Sequence, residues 1–412
     1  MSRKYLCFVI STMNKKEFSE RLLWPDWPIH DISRGFDDAL SVERQNHILT
    51  ASFRNVEDQM MNANKSMKTA PDKNKIPGLS YAFTENGIEL PVLDITHSQF
   101  LSSIDEEHLA EVSKASFQKM LALGEMSDDQ KKTYHEHLSK SYIYGRVFMS
   151  DPSANFLNGM STYVYKLGPS LIGGEQEREL DRNLSMGIGG VSVRMRIRDL
   201  CKLQADVLTP HLKSSTEKDL CFINIAGGAA SDSINTLVLI LKENPALLKN
   251  RKIEINVLDT DTISTHFAKQ CVEALKQQKH YFYGLDVTFN HINYNWNDPD
   301  ELIQLLSNRK QCIVLCTSEG GLFEYGTDEN IIQNLNAIYD HTPDDALIAG
   351  TIIHDLDKVD RTVPAMAKAT NAGLRFLGTT GLAGLLEKTN WRLENIIEKN
   401  PIYVILTLKK RN

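Results

Sequence analysis

The sequence predicts an α/β protein with a mostly parallel sheet of seven strands that ends in an antiparallel hairpin, preceded by a mainly helical N-terminal domain. From about residue 199, apolar runs alternate with amphipathic stretches, which is typical of a parallel sheet covered on both faces. The last two apolar runs are joined by too few residues for a crossover helix, so they must pair antiparallel. Residues 1–198 lack this alternation. We therefore divide the chain into domains 1–198 and 199–412.

Length, composition and charge narrow the class of function. The 412 residues suffice for two domains at roughly 100–200 residues each, and 42% hydrophobic with 24% charged residues is typical of globular proteins. Subtracting 53 acidic from 46 basic residues gives a net charge of −7, which argues against a nucleic-acid partner. No apolar run reaches the ~20 residues of a membrane span, and we expect no signal peptide.

The cysteines point to a reducing compartment. The six cysteines contain no CxxC pair, and most lie among apolar residues. We interpret them as reduced core thiols of a cytoplasmic protein, with neither a disulfide framework nor a metal site.

Turn and capping motifs in the sequence predict several elements of the N-terminal domain. Residues 61–78 lack apolar periodicity and predict an exposed loop. Asn86-Gly87 lies between two short apolar runs and predicts a hairpin with a type I′ turn. Ser103–Glu106 and Ser127–Gln130 both have the spacing of a capping box, which predicts a helix start at each.

A basic cluster lies close to the predicted domain junction. Arg194, Arg196 and Arg198 alternate with apolar residues, a period of two that suits a strand with one solvated face. Arg182 lies nearby. The cluster could bind an anionic substrate, but a solvated face is the favoured interpretation.

The C-terminal domain contains regular strand and helix patterns. Its predicted strands are 220–225, 253–258, 286–292, 311–316, 346–353, 391–398 and 402–408. Its predicted helices are 233–242, 263–277, 299–307, 330–339 and 382–388.

Small residues follow the first strand of this domain. In open α/β sheets, ligands bind outside the carboxyl ends of the strands. Ala226, Gly227 and Gly228 would let a ligand approach the backbone and would expose N–H groups at the next helix start. An ordinary tight turn would also use glycine, but the polar ends of the following strands favour a ligand.

The next two strands also end in polar residues. Asp259 could accept hydrogen bonds from a ribose diol, with Thr260 beside it, whereas Asp261 suits the N-cap of the following helix. Asn293 and Tyr294 could bind a heterocycle by its edge and by stacking. A polar turn is an equally good interpretation of Asn293 and Tyr294.

Together these residues resemble the class I S-adenosylmethionine-dependent methyltransferases, which have a Rossmann-like sheet. The resemblance covers about the last half of the chain and includes the C-terminal antiparallel hairpin. It implies that Asn224, at the family's usual acidic position, and the turn 226–228 contact the cofactor. It also places Asp259 at the ribose-binding acid and Asn293 at the residue that meets the adenine. The outer two of the family's three glycines are alanines here.

The loop after the fourth strand carries a second resemblance. Ser318-Glu319-Gly-Gly-Leu-Phe-Glu-Tyr325 is similar to the Glu-Gly-x-Leu-x-Tyr loop of the leucine carboxyl methyltransferase-like branch. In the family this loop faces the sulfonium and the methyl acceptor. A buried Glu319 could attract the cationic cofactor or act as a base, and an exposed loop residue is the alternative.

A histidine at the end of the fifth strand is the second catalytic candidate. His354 could act as a general base near neutral pH, although a structural role is more common for a lone histidine. His354 and Asp355 should point to opposite faces and not form a bonded dyad. His135 and His137 lie on different faces of a helix, which disfavours a metal site.

These observations favour an S-adenosylmethionine-dependent methyltransferase for a small molecule. O-methylation is favoured, with N- or carboxyl-methylation as alternatives, and the N-terminal domain is expected to act as a lid. The alternatives are an NAD(P)-dependent oxidoreductase and a non-catalytic binding module. We expect no nucleic-acid or membrane partner and leave a homo-oligomer open.

Overall fold

The structure, a computed structural model, describes residues 75–138, 140, 159–172, 178–370 and 373–411. The predicted loop at 61–78 therefore lies largely outside the described residues. The helices are α1 (Ser98–Leu101), α2 (Leu109–Gly124), α3 (Asp128–Leu138), α4 (Gly159–Ile172), α5 (Glu179–Ser185), α6 (Ile188–Ser214), α7 (Ser231–Glu243), α8 (Thr262–Leu275), α9 (Asp300–Ser307), α10 (Leu322–Tyr325), α11 (Asp328–His341), α12 (Thr362–Thr370) and α13 (Gly378–Leu386). The strands are β1 (Tyr81–Phe83), β2 (Glu89–Pro91), β3 (Leu220–Ile225), β4 (Lys252–Leu258), β5 (Asp286–Ile292), β6 (Ile313–Ser318), β7 (Leu347–Ile353), β8 (Trp391–Ile397) and β9 (Tyr403–Lys410).

Seven strands form one sheet in the order β5-β4-β3-β6-β7-β9-β8. β3 to β7 are parallel, and β9 runs antiparallel to both β7 and β8. This arrangement confirms the predicted mostly parallel sheet with its antiparallel C-terminal hairpin. The strand order reverses beside β3, where β4 lies on one side and β6 on the other, which is the place where such sheets bind ligands.

Both faces of the sheet are covered, as the continuous apolar strands predict. Every residue of β3 is buried. Leu220 and Phe222 belong to one hydrophobic core, while Cys221, Ile223 and Ile225 belong to the core on the other face. The alternation follows from the two-residue period of a strand.

The N-terminal hairpin is confirmed, but its predicted turn is wrong. Tyr81 pairs with Pro91 and Phe83 with Glu89, so five residues connect the strands instead of two. Gly87 has a φ of 76°, and Asn86 lies outside the left-handed region. A type I′ turn requires a positive φ at both central residues, so the longer loop replaces it.

One of the two predicted helix starts is confirmed. At the start of α3, Ser127 Oγ accepts from Gln130 N and Gln130 Oε1 accepts from Ser127 N, which is a capping box. The other prediction is wrong, because Ser103 follows α1 and its hydroxyl donates to Phe100 O. α2 begins only at Leu109.

The three alternating arginines do not lie on the predicted strand with a solvated face. Arg194, Arg196 and Arg198 lie on the 27-residue helix α6, not on a strand, and all three are buried. A period of two over three arginines cannot tell a strand from a helix that is buried on several sides. α6 also runs without a break through the predicted domain boundary at 198/199, and it packs against α4 and α7.

Arg194 ties three N-terminal segments together. Its guanidinium donates to Ser103 O at 3.0 and 3.2 Å, to Tyr165 O at 3.0 Å and to Ser185 O at 2.9 Å. Within the described part of the chain, these partners are all backbone carbonyls, which lie just after α1, within α4 and at the end of α5.

The described residues contain no helix that is both long and apolar enough to cross a membrane. Cys201, Cys221, Cys271, Cys312 and Cys316 are all free, which confirms the expectation of reduced thiols for these five.

We expect Arg194→Met to lower the free energy of unfolding by about 3 kcal/mol, because three buried carbonyls lose their donor. Urea denaturation measures this change. The matched control Arg392→Met removes an arginine that is 49% exposed and should shift stability by less than about 0.5 kcal/mol. Equal effects of the two substitutions would contradict the assigned role of Arg194.

Candidate functional site

The turn after β3 has a left-handed backbone. Ala226, Gly228 and Ala230 have φ angles of 54°, 49° and 51°. Ala226 N donates to Leu258 O and Ala230 N donates to Gly227 O, both at 2.8 Å, which fixes the turn to the end of β4. A non-glycine residue in this region is strained by about 1–2 kcal/mol, so both alanines are held there by their surroundings.

Close packing requires glycine at position 227 and leaves little room for a side chain at position 228. A Cβ on Gly227 would lie 2.3 Å from Asn224 Oδ1, and one on Gly228 would lie 3.3 Å from Gly159 Cα. The first approach is closer than any real contact. The turn is therefore packed against β3 below and against the start of α4 above.

Asn224, at the end of β3, anchors the start of α7. Its Nδ2 donates to Asp232 Oδ1 at 2.5 Å and to Ser233 Oγ at 3.2 Å. Its Oδ1 is buried and has no hydrogen-bond donor in the described structure, and the same holds for Ser231 Oγ. Buried polar atoms without a partner are rare, so this end of β3 lacks at least one hydrogen-bond donor.

Two aspartates after β4 accept hydrogen bonds from neighbouring backbone N–H groups. Asp261 is the N-cap of α8 and accepts from Ile263 N and Ser264 N, as expected. Its other oxygen accepts from Gly159 N at 3.2 Å. Asp259 accepts from Gly228 N and Asp261 N, both at 2.8 Å. Each carboxylate oxygen of Asp259 keeps further acceptor capacity.

The residues beyond Asp259 divide into exposed and buried ones. Thr260 and Asn293 are exposed at the edge of the sheet. Tyr294 is buried in a hydrophobic core, and its hydroxyl donates to Asn334 Oδ1. The Tyr294 ring is therefore part of the core, and its backbone N–H is the group that faces Asp259, at 3.4 Å from Asp259 O.

Glu319, after β6, lies between two cations in the protein interior. Lys166 Nζ of α4 donates to Glu319 Oε2 at 2.6 Å, and Arg196 Nε of α6 donates to Oε1 at 3.0 Å. The three side chains are 3–6% exposed. Each carboxylate oxygen of Glu319 thus accepts from one buried cation and, like those of Asp259, keeps further acceptor capacity.

A second carboxylate extends this cluster. Glu324 accepts from Arg196 Nη1 at 3.3 Å and from Thr351 Oγ1 at 3.2 Å, while Gly320 N donates to Thr351 Oγ1. The Arg196 guanidinium also stacks over the Tyr403 ring at 4.3 Å. Ser318, the remaining residue predicted in this loop, is buried and its Oγ accepts from Leu322 N.

Among the residues that the structure describes, carboxylates outnumber cations at this edge of the sheet. The four acidic residues are Asp232, Asp259, Glu319 and Glu324, and the two cations that pair with Glu319 are Lys166 and Arg196. Burial raises the pKa of Asp232, Asp259 and Glu324. Repulsion from Glu319 adds to the rise of the pKa at Asp232 and Glu324. A ligand with a net positive charge would relieve this repulsion.

His354 lies beyond the end of β7 and is 5% exposed. Its Nε2 lies 2.8 Å from Asn400 O, and its Nδ1 has no partner in the described structure. Asp355 instead accepts from Thr379 N and Oγ1. The predicted absence of a His354–Asp355 dyad is therefore confirmed.

Helix α4 crosses the carboxyl ends of the central strands. Its first residue, Gly159, contacts Asp261 and the turn at Gly228, and Lys166 reaches Glu319 two turns later. Lys166 is a site residue that no sequence motif identifies, and Arg196 lies in this buried cluster instead of on the predicted solvated face. One signal for both is Glu319, because a buried carboxylate after an apolar strand requires a cationic partner.

Within the described residues, no group of three or more metal-ligating side chains lies close enough to hold an ion.

No protein-family description and no curated protein sequence matches the chain. The solved structures that are similar to it include the following three. A possible exported protein from Bordetella parapertussis has a TM-score of 0.47 at 15% identity, over 76% of this chain and 99% of that one. A DUF574 family protein from Streptomyces avermitilis has a TM-score of 0.42 at 14% identity, over 61% and 97%. Human N-acetylserotonin methyltransferase in complex with SAM has 0.31 at 16% identity, over 58% and 61%.

We expect Ala226→Gly to raise the free energy of unfolding by about 0.5–1 kcal/mol, because glycine relieves the left-handed strain at little further cost. Ala229→Gly is the matched control in the same turn, outside the left-handed region and 3% exposed. It should lower stability by about 1 kcal/mol through lost backbone restraint and a lost methyl contact. Urea denaturation of both variants checks the opposite signs, and two losses of similar size would contradict the turn geometry.

Proposed function

We propose that this protein is an S-adenosylmethionine-dependent methyltransferase that acts on a small molecule, with O-methylation favoured. The observation that carries the proposal is the surplus of buried carboxylates beside a small-residue turn, at the point where the strand order reverses. S-adenosylmethionine combines a nucleoside with a positively charged sulfonium and a methionine zwitterion. The sheet order and the C-terminal hairpin are those of the fold on which this chemistry occurs.

The nucleoside end of the cofactor fits the residues after β4 and β5. Asp259 would accept from the ribose hydroxyls through its remaining lone pairs, and Thr260 and Asn293 are exposed where the base would lie. Tyr294 would support this edge from the core. The partly buried backbone of Ala226 and Gly227 would lie against the cofactor between the end of β4 and β6.

The methionine end would lie among the buried charges. Its ammonium group would bind Glu319 and supply the donor that Asn224 Oδ1 lacks. Its carboxylate would bind Lys166 and Arg196, which are the two cations of the cluster. Each ion of the ligand would thereby replace an ion pair that the protein now makes with itself. When bound, the sulfonium supplies an activated methyl group.

The N-terminal helices would supply the acceptor pocket and exclude water. α4 lies over the strand ends, and its contacts with Asp261 and Glu319 support a covering role for the region 1–198. A small-molecule acceptor would then enter beside α4, where Ser318 and Glu319 face the cluster. The two halves are in contact through α6, which continues across the predicted boundary at 198/199 and packs against both α4 and α7.

Calorimetric titration of the full chain with S-adenosylhomocysteine and with NADH tests the proposal. Binding of the first ligand alone supports it. Binding of NADH alone would support an NAD(P)-dependent oxidoreductase that uses the same strand ends. Binding of neither ligand would support a non-catalytic module whose site is filled by its own ion pairs.

We expect Lys166→Met and Glu319→Gln each to weaken binding of S-adenosylhomocysteine by at least tenfold, about 1.4 kcal/mol. Each variant removes the side chain that would hold one ion of the methionine zwitterion. The controls Lys202→Met and Glu387→Gln change exposed residues of the same types and should leave the affinity unchanged. Thermal melting of each variant separates lost binding from lost folding, and full affinity in a folded Lys166→Met would contradict the assignment.

We also expect the affinity for S-adenosylmethionine to rise with pH above the ordinary carboxyl pKa values of 3.8 and 4.5. Burial raises the pKa of Asp232, Asp259 and Glu324, so these groups are still partly protonated above those values. A cation favours their ionised forms, so binding releases protons. S-adenosylhomocysteine has a neutral sulfur and should show a weaker rise, which titrations in two buffers of different ionisation enthalpy would measure. Equal slopes would show that the cluster does not respond to the sulfonium charge.

A further inference from the structure

His354 and Asn400 form a buried hydrogen-bonded unit whose geometry determines where the imidazole carries its proton. Asn400 O is a carbonyl oxygen and can only accept, so His354 Nε2, at 2.8 Å, must donate. In the neutral ring Nδ1 then carries a lone pair. Nδ1 is buried and has no partner in the described structure.

The position of the Asn400 carbonyl is itself fixed by several contacts. Asn400 Oδ1 accepts from Ile402 N at 2.9 Å and Tyr403 N at 3.1 Å, and its Nδ2 donates to Ser192 O of α6 at 2.8 Å. The backbone N–H of His354 donates to Ile402 O at 3.0 Å. Asn400 is 1% exposed. Its side chain therefore holds the loop between β8 and β9 against both α6 and His354.

This unit adjoins the buried charges of the proposed cofactor site. Tyr403, whose N–H binds Asn400, has its ring under the Arg196 guanidinium at 4.3 Å. Arg196 in turn binds Glu319 and Glu324. A second unpartnered polar atom, Ser192 Oγ, belongs to the residue that Asn400 binds. Two buried groups that lack a partner thus lie on either side of Asn400.

We propose that Asn400 is a positioning residue that fixes His354 in the Nε2–H form, so that Nδ1 accepts a proton from a hydroxyl group of the methyl acceptor. This inference rests on the proposed function and narrows its substrate class to acceptors that must lose a proton. The acceptor O–H bond breaks and its proton passes to Nδ1. The electron pair left on oxygen forms the new O–CH₃ bond to the methyl group that the sulfonium supplies, and the C–S pair stays on sulfur. A carboxylate acceptor would need no such base.

The first test determines which ring nitrogen of His354 carries the proton, and it needs no cofactor. In protein labelled with ¹⁵N-histidine, the His354 signal, assigned by its loss in His354→Gln, should show Nε2–H and an unprotonated Nδ1 at neutral pH. Asn400→Ala should mix the two tautomers, because the carbonyl loses its anchors. The matched control Asn395→Ala, whose side chain binds Thr407 on the edge strands, should leave the signal unchanged. An Nδ1–H form in the native protein, or no change in Asn400→Ala, would overturn the positioning role.

The second test identifies the group that is methylated. A small-metabolite extract incubated with methyl-labelled S-adenosylmethionine and the full chain should yield label that survives mild base, as in ethers, and that is lost with His354→Gln. Label released by mild base marks esters and would overturn the inference. No label with any extract, together with no binding of S-adenosylhomocysteine, would instead overturn the proposed function while the tautomer result stands.

Discussion

The buried ion pairs of Glu319 are the interaction on which the arrangement of this protein depends. Lys166 belongs to α4, Arg196 to α6 and Glu319 to the end of β6, so one carboxylate joins two N-terminal helices to the centre of the sheet. Removing one partner of such a buried ion pair lowers the free energy of unfolding by about 3–5 kcal/mol. The same carboxylate is also the group that a cationic ligand would approach. In the proposed function, stability and ligand binding would therefore compete for one set of charges.

The proposed competition would explain why the carboxyl ends of the central strands are closely packed against other parts of the chain. Gly159 lies against the turn at Gly228, and Asp259 already accepts two backbone N–H groups. A protein without a ligand satisfies its buried charges with its own side chains, because leaving them unpaired is more costly. In the proposed function, a zwitterionic ligand with a net positive charge would exchange with those internal partners. The raised pKa values of Asp232, Asp259 and Glu324 are in the direction that an added cation would oppose.

The His354–Asn400 unit is a second set of buried polar groups, and it lies on the other side of Arg196 from Glu319. Asn400 uses its carbonyl and both side-chain polar atoms to bind His354, α6 and the start of β9, while His354 Nδ1 has no partner among the described residues. The cation cluster and the free lone pair are linked through Tyr403. In the proposed function, the Glu319 cluster would bind the cofactor and the His354–Asn400 unit would remove the proton. The two parts adjoin in one buried polar network, and both contact α6.

The strands of the C-terminal half and the polar residues at their ends can be predicted from the sequence, because strand patterns repeat every two residues and parallel strands align their carboxyl ends. The cap at Asp261 and the capping box at Ser127 can be predicted as well, since both signals are local. The burial of Arg194, Arg196 and Arg198 on a helix, and the contact of Lys166 with Glu319 across 153 positions of the chain, emerge only in the folded chain. Helix burial on several sides leaves no simple period, and a long-range ion pair leaves no spacing in the sequence to read.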